Sequence, residues 1–158
     1  MDLLVRLYAL EPKLELDRRL ADAGIVVRRV LAPEFALVVD WIKQEFGPGW
    51  ASETTAAFAR QPPSCFIAAK DGKPVGFACY DAIARGYFGP TGVSEVARGA
   101  GIGHGLLLAC LLDMRTQGYG YAVIGDVGPV DFYVRAVGAT PITDSTPGIV
   151  AGLLRYPD

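Results

Sequence analysis

The sequence is poor in the residues on which metal binding and thiol chemistry depend. It contains one histidine and three cysteines among 158 residues. Cys65, Cys79 and Cys110 show no C-x-x-C spacing and lie in apolar runs. Because structural metal sites need closely spaced sulfur or nitrogen ligands, we expect no metal site. The three cysteines are predicted to be buried free thiols.

Concentrated charge and long apolar segments are also missing. The formal net charge is −2, the pI is about 5.4, and there is no block of Lys and Arg, which argues against nucleic acid or a membrane surface as a partner. No stretch approaches the roughly 20 apolar residues of a membrane span, and the first residues lack the pattern of a secretory signal. We therefore expect a cytoplasmic protein. The positive mean hydropathy of +0.29 favours a homodimer.

Residues 1–158 are predicted to form one mixed α/β domain. Hydrophobic residues make up 51% of the sequence and charged residues 20%, which is typical of a chain with a folded core. Apolar spacing and turn residues predict helices at 12–23, 33–46, 52–60, 101–117 and 128–137. Strands are predicted at 3–9, 25–31, 65–70, 74–81, 86–93, 119–125 and 149–154. This order places helices on both faces of a mixed sheet.

A glycine-rich turn is the most informative feature of the chain. Residues 98–105 read Arg-Gly-Ala-Gly-Ile-Gly-His-Gly and are followed by an apolar run at 106–112. The order is therefore strand, glycine turn, apolar helix. The first N–H groups of a helix lack intrahelical partners and carry partial positive charge. Because glycines leave these groups accessible, we expect a phosphorylated ligand to bind the main chain here.

The spacing of the glycines excludes the two commonest nucleotide motifs. In G-x-G-x-x-G the sixth residue is glycine, but counting from Gly99, Gly101 or Gly103 gives His104, Leu106 or Leu108. A P-loop needs Gly-Lys-Ser/Thr, and Gly72-Lys73 is followed by Pro74. No Gly-x-Ser-x-Gly occurs either, so a serine hydrolase is not indicated.

The turn fits Arg-x-x-Gly-x-Gly, as Arg98-Gly99-Ala100-Gly101-Ile102-Gly103. This resembles the pyrophosphate-binding motif of the GCN5-related N-acetyltransferases, the GNAT superfamily, and the element order from about residue 25 to 154 is similar as well. The resemblance implies a GNAT-like α/β fold, with a central mixed, splayed β-sheet and helices on both faces. Residues 1–24 would be a strand–helix extension, of no evident role, before the core. The implied co-substrate is acetyl-CoA, with His104 as a further candidate contact to its phosphates.

The strand before the turn would hold the arm of the cofactor. In the family this strand splays from the next one in the chain. Gly89-Pro90 is a local cause for such a gap, since proline cannot donate to the ladder. The resemblance implies that the exposed main chain of Gly92 and Val93 pairs with the pantetheine arm. It also implies that the Val93 amide donates to the oxyanion.

A second landmark of the family is matched by Phe132-Tyr133, followed by Gly138. The glycine is the fifth residue after the tyrosine here, whereas it is often the fourth in the family. The resemblance gives Tyr133 a hydrogen bond to the thioester sulfur and the protonation of the departing thiolate. Because tyrosine has a pKa near 10 and a thiol one near 8.5, full proton transfer is uphill by about 2 kcal/mol. Tyr133 is therefore better described as a donor that stabilises developing charge.

The acceptor amine must lose a proton before it can attack. An alkyl amine with a pKa near 10.4 is protonated at neutral pH, so a carboxylate must accept that proton directly or through water. The candidates are Asp81, Glu95 and Asp126, each near the end of a predicted strand. Asp81 and Asp126 are equally well explained as turn formers, and Glu95 as a solvated loop charge.

The acceptor itself is not specified beyond a small-molecule or peptide amine. Candidate walls of its pocket are Phe46, Trp50, Glu53 and Phe58, although core packing explains the aromatic residues equally well. The function indicated is an acetyl-CoA-dependent N-acetyltransferase acting by direct attack of a primary amine. Two alternatives stay open: a non-catalytic acetyl-CoA-binding module, and a dinucleotide-binding oxidoreductase with Asp126 as the ribose contact.

Overall fold

The computed structural model describes residues 1–155 and Pro157. The strands of the described part are β1 (Leu3–Arg6), β2 (Ile25–Arg29), β3 (Cys65–Lys70), β4 (Lys73–Tyr80), β5 (Tyr87–Val93), β6 (Tyr121–Ile124) and β7 (Thr140–Pro141). Its α-helices are α1 (Leu14–Asp22), α2 (Phe35–Phe46), α3 (Pro48–Phe58), α4 (Ile102–Thr116) and α5 (Val130–Val137). None of the helices in this part of the chain is long and apolar enough to cross a membrane.

The strands form one mixed sheet in the order β2-β3-β4-β5-β6-β1-β7. Neighbours are antiparallel except β5 and β6, which run parallel. The hairpin predicted at Asp71-Gly72 joins β3 to β4. Both turn residues have positive φ, 52° and 71°, which suits the right-handed twist of the flanking strands. The predicted mixed α/β fold is confirmed.

The predicted last strand, at 149–154, is wrong. Gly148–Val150 is a short 3₁₀ helix, and Leu154 is 94% exposed. The reason lies at the other end of the chain, where β1 pairs with both β6 and β7: Leu3 is opposite Ile124 on one side and Pro141 on the other. Strand β1 is therefore interior to the sheet and occupies the position beside β6, and the two-residue β7 forms the edge, so residues 149–154 lie outside the sheet.

Each face of the sheet carries its own apolar core. Helices α1, α4 and α5 cover one face, and α2 and α3 cover the other. As predicted, α4 is buried nearly all round, with Leu106, Leu107, Leu111 and Met114 at most 1% exposed. The three cysteines are buried free thiols, as also predicted.

Strands β5 and β6 separate soon after they meet. They pair only at Tyr87–Val123 and Phe88–Ile124, so residues 89–93 have no partner on that edge of β5. Their other edge remains paired with β4 as far as Gly76–Val93, with a register shift between Ala78 and Tyr80. The splayed sheet predicted from the sequence is thus present, and the gap opens toward the glycine turn.

Helix α1 packs against the beginning of α4 at two glycines. A methyl group built on Gly101 would lie 3.0 Å from Leu16 Cδ1, and one on Gly105 would lie 2.6 Å from Leu20 Cδ1. Two of the four alternate glycines therefore make room for a neighbouring helix. A methyl group on Gly99 would meet nothing within 4 Å, and one on Gly103 would meet only Val93 Cγ2, at 3.8 Å.

The contact between Gly92 and Phe46 provides a test of the fold. A methyl group at position 92 would lie 2.7 Å from Phe46 Cε1 and 2.9 Å from Cζ. The ring is itself held by Trp41, Trp50 and Phe77, with centroids 5.4 to 5.6 Å away. We expect Gly92→Ala to lower the free energy of unfolding by about 1–3 kcal/mol, seen as a fall in Tm of several degrees.

The matched control is Gly49→Ala in α3. A methyl group there meets nothing within 4 Å, and alanine is the better helix former, so Tm should be unchanged or slightly higher. Equal Tm values for Gly92→Ala and the unsubstituted protein would contradict the proposed packing of Phe46 on β5.

Candidate active site

A cleft of about 490 Å³ opens where β5 separates from β6. Its walls come from the end of β5, the glycine turn, the first turns of α4 and α5, and the junction of α2 with α3. Most of the predicted site residues line it: Gly92, Val93, Arg98, Gly99, Gly101, Ile102, Gly103, His104 and Tyr133. Ala100 does not line the cleft and packs on the core instead.

The glycine turn presents main-chain donors to this cleft. Gly99 and Gly101 have φ values of 92° and 88°, a conformation that favours glycine. Helix α4 begins at Ile102, and its first main-chain bond runs from Gly105 N to Gly101 O, 3.0 Å. The N–H groups of Ile102, Gly103 and His104 therefore have no intrahelical acceptor. The turn has the geometry of an anion site.

The free edge of β5 carries a main-chain donor as well. Ser94 N donates to Val75 O, 2.9 Å away on the β4 side. Because successive N–H groups of an extended strand point in opposite directions, the Val93 N–H points away from β4, into the gap. Arg98 Nε donates to Val93 O, 3.3 Å away, and ties the turn to the end of this strand.

Tyr133 lies on the opposite wall of the cleft, in the first half of α5. The residue is only 7% exposed, and its ring packs edge-on against Phe132, with centroids 5.0 Å apart. Burial raises the pKa of the Tyr133 hydroxyl, with no contribution from a neighbouring charge or hydrogen bond. The hydroxyl is therefore protonated at neutral pH and available as a donor.

His104 brings a second ionisable group into the cleft. Its ring packs edge-on against Phe132, 6.2 Å between centroids, and its Nε2 is buried with no hydrogen-bond partner among the described residues. Burial is the main cause that lowers the pKa of the imidazole, and the charges of Lys13 and Arg19 lower it further. A hydrogen bond with the main chain of Ala136 acts in the opposite direction and raises the pKa. The neutral form is therefore favoured at pH 7.

The three candidate carboxylates do not line this cleft. Asp81 lines a second cleft, of about 640 Å³, at the other end of β5. There its carboxylate accepts hydrogen bonds from Gly86 N–H and the Tyr119 hydroxyl, both at 2.7 Å. Exposed Asp126 has a φ of 47° after β6, and exposed Glu95 begins a 3₁₀ helix after β5. The role of each as a base stays a prediction.

Only some of the residues predicted to line the acceptor pocket lie in the cleft. Phe46 and Trp50 line the cleft, whereas Phe58 packs on Phe35 with centroids 5.1 Å apart. Half-buried Glu53 lies one turn after Trp50 on α3, and burial raises the pKa of its carboxyl. Four further residues line the cleft and were not predicted from the sequence: Phe88, Thr91, Ala97 and Leu107. Their positions in the chain could have indicated three of them, since Phe88 and Thr91 lie in the strand before the turn and Leu107 lies one turn after Gly103.

Sequence comparison identifies the family. The model of the acetyltransferase (GNAT) family matches residues 35–138, more than half of the chain. The chain therefore belongs to the GNAT acetyltransferase family, a family of acyltransferases. Helix α1 and strand β1 lie outside the matched region. No curated protein shows a significant match.

Solved structures share the fold at low sequence identity. A GCN5-related glucosamine N-acetyltransferase region of a fungal multi-domain GH3 β-N-acetylglucosaminidase has a TM-score of 0.71 at 17% identity, covering 86% of this chain and 19% of that one. A GCN5-related N-acetyltransferase from Sphaerobacter thermophilus gives 0.64 at 20% identity, covering 88% and 47%. A GNAT acetyltransferase from Brucella melitensis, in complex with acetyl-CoA, gives 0.55 at 22%, covering 70% and 80%. The chain thus spans less than half of the first two proteins.

The environment of His104 is open to direct measurement by NMR. Because it is the only histidine, its imidazole carbon–proton signals can be assigned without a variant. Burial and the nearby positive charges lower its pKa, so the signals of the ligand-free protein should titrate with a midpoint below 6.5, the ordinary histidine value. A midpoint at or above 6.5 would contradict the buried position beside two cations.

Proposed function

We propose that the protein transfers the acetyl group of acetyl-CoA to a primary amine of a small molecule or peptide, by direct attack of the amine. The observation that carries the proposal is a single cleft in which the free amides of the glycine turn, the unpaired edge of β5 and the Tyr133 hydroxyl are brought together. Phosphate, amide and sulfur of one extended molecule would meet these three features in that order.

In this proposal the turn and the strand hold the cofactor. The diphosphate would accept hydrogen bonds from the amides of residues 102–104, with Arg98 and His104 beside it. The pantetheine arm would pair with the main chain of Gly92 and Val93 as an added strand. The family match and the acetyl-CoA complex of the Brucella melitensis protein support acetyl-CoA as the co-substrate.

The chemistry follows from the donors in the cleft. Attack of the amine nitrogen on the thioester carbonyl forms the new C–N bond and an oxyanion, which the Val93 N–H would stabilise. Collapse of this intermediate breaks the C–S bond. Tyr133 would donate a hydrogen bond to the departing sulfur, and the thiolate would finally take up the proton that the attacking nitrogen loses as it becomes the amide. Because burial raises the pKa of Tyr133, stabilising the sulfur by hydrogen bonding is easier than transferring the proton outright.

The proton of the acceptor must leave by another path. None of Asp81, Glu95 and Asp126 lines the cleft. The ammonium proton would therefore pass to one of these carboxylates through water. The aromatic wall of Phe46 and Trp50 favours an acceptor with an apolar portion next to its amine. Binding both substrates in one cleft would supply much of the rate, since it makes the reaction effectively intramolecular.

Cofactor choice can be tested by thermal stabilisation. A ligand that binds only the folded state at 100 times its Kd adds about 2.7 kcal/mol to the free energy of unfolding, or a rise in Tm of about 5–10 °C for a chain of this size. We expect this rise with CoA and none with NAD at equal concentration. Stabilisation by NAD alone would overturn the proposal in favour of the dinucleotide-binding alternative.

The role of Tyr133 can be tested by a single substitution. Tyr133→Phe removes the sulfur donor and nothing else, so kcat should fall about 100-fold while the Kd of CoA stays the same. The assay is CoA release from acetyl-CoA with a panel of primary amines, including amino sugars, polyamines, amino acids and peptide N-termini. Tyr8→Phe is the control, because Tyr8 is 61% exposed and outside the cleft. An unchanged kcat for Tyr133→Phe would exclude the proposed donor.

A further inference from the structure

Helix α1 lies against the glycine turn although it is outside the region that defines the family. Its apolar side chains Leu16 and Leu20 pack onto the beginning of α4. The same packing brings Arg19, which does not itself line the cleft, against Gly101, which does. The N-terminal extension therefore has a position from which it could act on whatever binds the turn.

The guanidinium of Arg19 lies directly over the central glycine of the motif. A methyl group on Gly101 would be 2.7 Å from Arg19 Nη2 and 3.7 Å from Cζ. Gly101 both lines the cleft and caps α4. The charged end of the side chain thus lies next to Gly101, the residue that immediately precedes the three free amides.

The charge of Arg19 has no ion-pair partner in the described part of the chain. The ion pairs of this part are Arg28 with Glu34 and Arg29 with Asp113, and neither includes Arg19. Lys13, at the N-terminal boundary of α1, adds a second cation. The charges of both residues lower the pKa of His104, whose buried Nε2 lacks a partner. Arg19 therefore brings a positive charge without an ion-pair partner against the turn, and Lys13 adds a second charge that acts on His104.

We propose that Arg19, with Lys13 in support, binds the diphosphate of the CoA co-substrate, so that the N-terminal extension completes the cofactor site. This rests on the function proposed above. The planar guanidinium offers several N–H donors in a fixed fork and pairs with two phosphate oxygens at once. It would bind the diphosphate from the side of α1, while the amides of residues 102–104 would donate to it from the start of α4. Lys13 contributes as a more distant point charge.

The assignment to the diphosphate follows from the place of the guanidinium. It lies on Gly101, within the turn to which the diphosphate is assigned above. Removing the charge should therefore weaken every ligand that carries the diphosphate, and no ligand that lacks it.

Calorimetric titration of three ligands against variants of Arg19, Arg18 and Lys13 tests this. The ligands are CoA, 3′-dephospho-CoA, which keeps the diphosphate, and pantetheine, which has none. Arg19→Gln keeps most of the side-chain stem and should raise the Kd of CoA and of 3′-dephospho-CoA about tenfold at low ionic strength. Its Kd for pantetheine should match that of the unsubstituted protein.

Arg18→Gln is the matched control. Arg18 is exposed on the same helix, the net charge changes equally, and 100° of helix rotation turn it away from Arg19. All its Kd values should be unchanged. Lys13→Gln leaves Arg19 in place and should raise the Kd of CoA two- to threefold, which keeps the proposal testable even where Arg19→Gln impairs folding.

The outcomes are separable. Equal Kd values for Arg19→Gln and Arg18→Gln overturn the inference and leave the proposed function standing. A rise that extends to pantetheine reveals a purely structural role and also overturns it. A rise for CoA but not for 3′-dephospho-CoA assigns Arg19 to the 3′-phosphate and overturns the diphosphate assignment. Failure of the unsubstituted protein to bind CoA counts against the proposed function itself.

Discussion

The short pairing of β5 with β6 is the constraint on which the candidate site depends. Two residue pairs hold the parallel strands together, at Tyr87–Val123 and Phe88–Ile124, and beyond them the strands diverge. The divergence exposes one main-chain edge of β5 and places the glycine turn and α5 on opposite sides of a gap. Had the ladder continued to Val93, its N–H would be used within the sheet, and the cleft that contains Tyr133 would be closed.

Glycine serves two purposes at the start of α4. Gly99 and Gly101 have positive φ and shape the turn. Gly101 and Gly105 also allow the leucines of α1 to approach the helix closely. Packing and the proposed ligand binding are thus combined in one short segment, and Gly101 would contribute to both. The alternate spacing of the four glycines therefore reflects the neighbour as well as the cleft.

Local sequence signals predicted most of the fold and the glycine-turn side of the cleft. The hairpin at Asp71-Gly72, the apolar helix after the turn and the splayed strand all depend on short-range chemistry, and each is present. The wrong strand at 149–154 could not be recognised from the sequence, because the position beside β6 is filled by β1, more than a hundred residues away in the chain. The candidate carboxylates illustrate the same limit: Asp81 ends a predicted strand and Asp126 follows one, but both have positive φ and lie at loop corners. Strand ends locate a side chain along the sheet, but they do not say into which cleft it points.

The interior position of β1 has a consequence for the order in which the chain assembles. Its partners lie far away in the chain, since Leu3 pairs with Ile124 and Pro141, and Asp2 N–H donates to Ser145 Oγ at 2.8 Å. Contacts of such long range slow folding, so we expect closure of the sheet to be a late event. Strands β2 to β5 can pair with one another while β1 is still unpaired. Assembly of the sheet would then end, rather than begin, with the docking of β1.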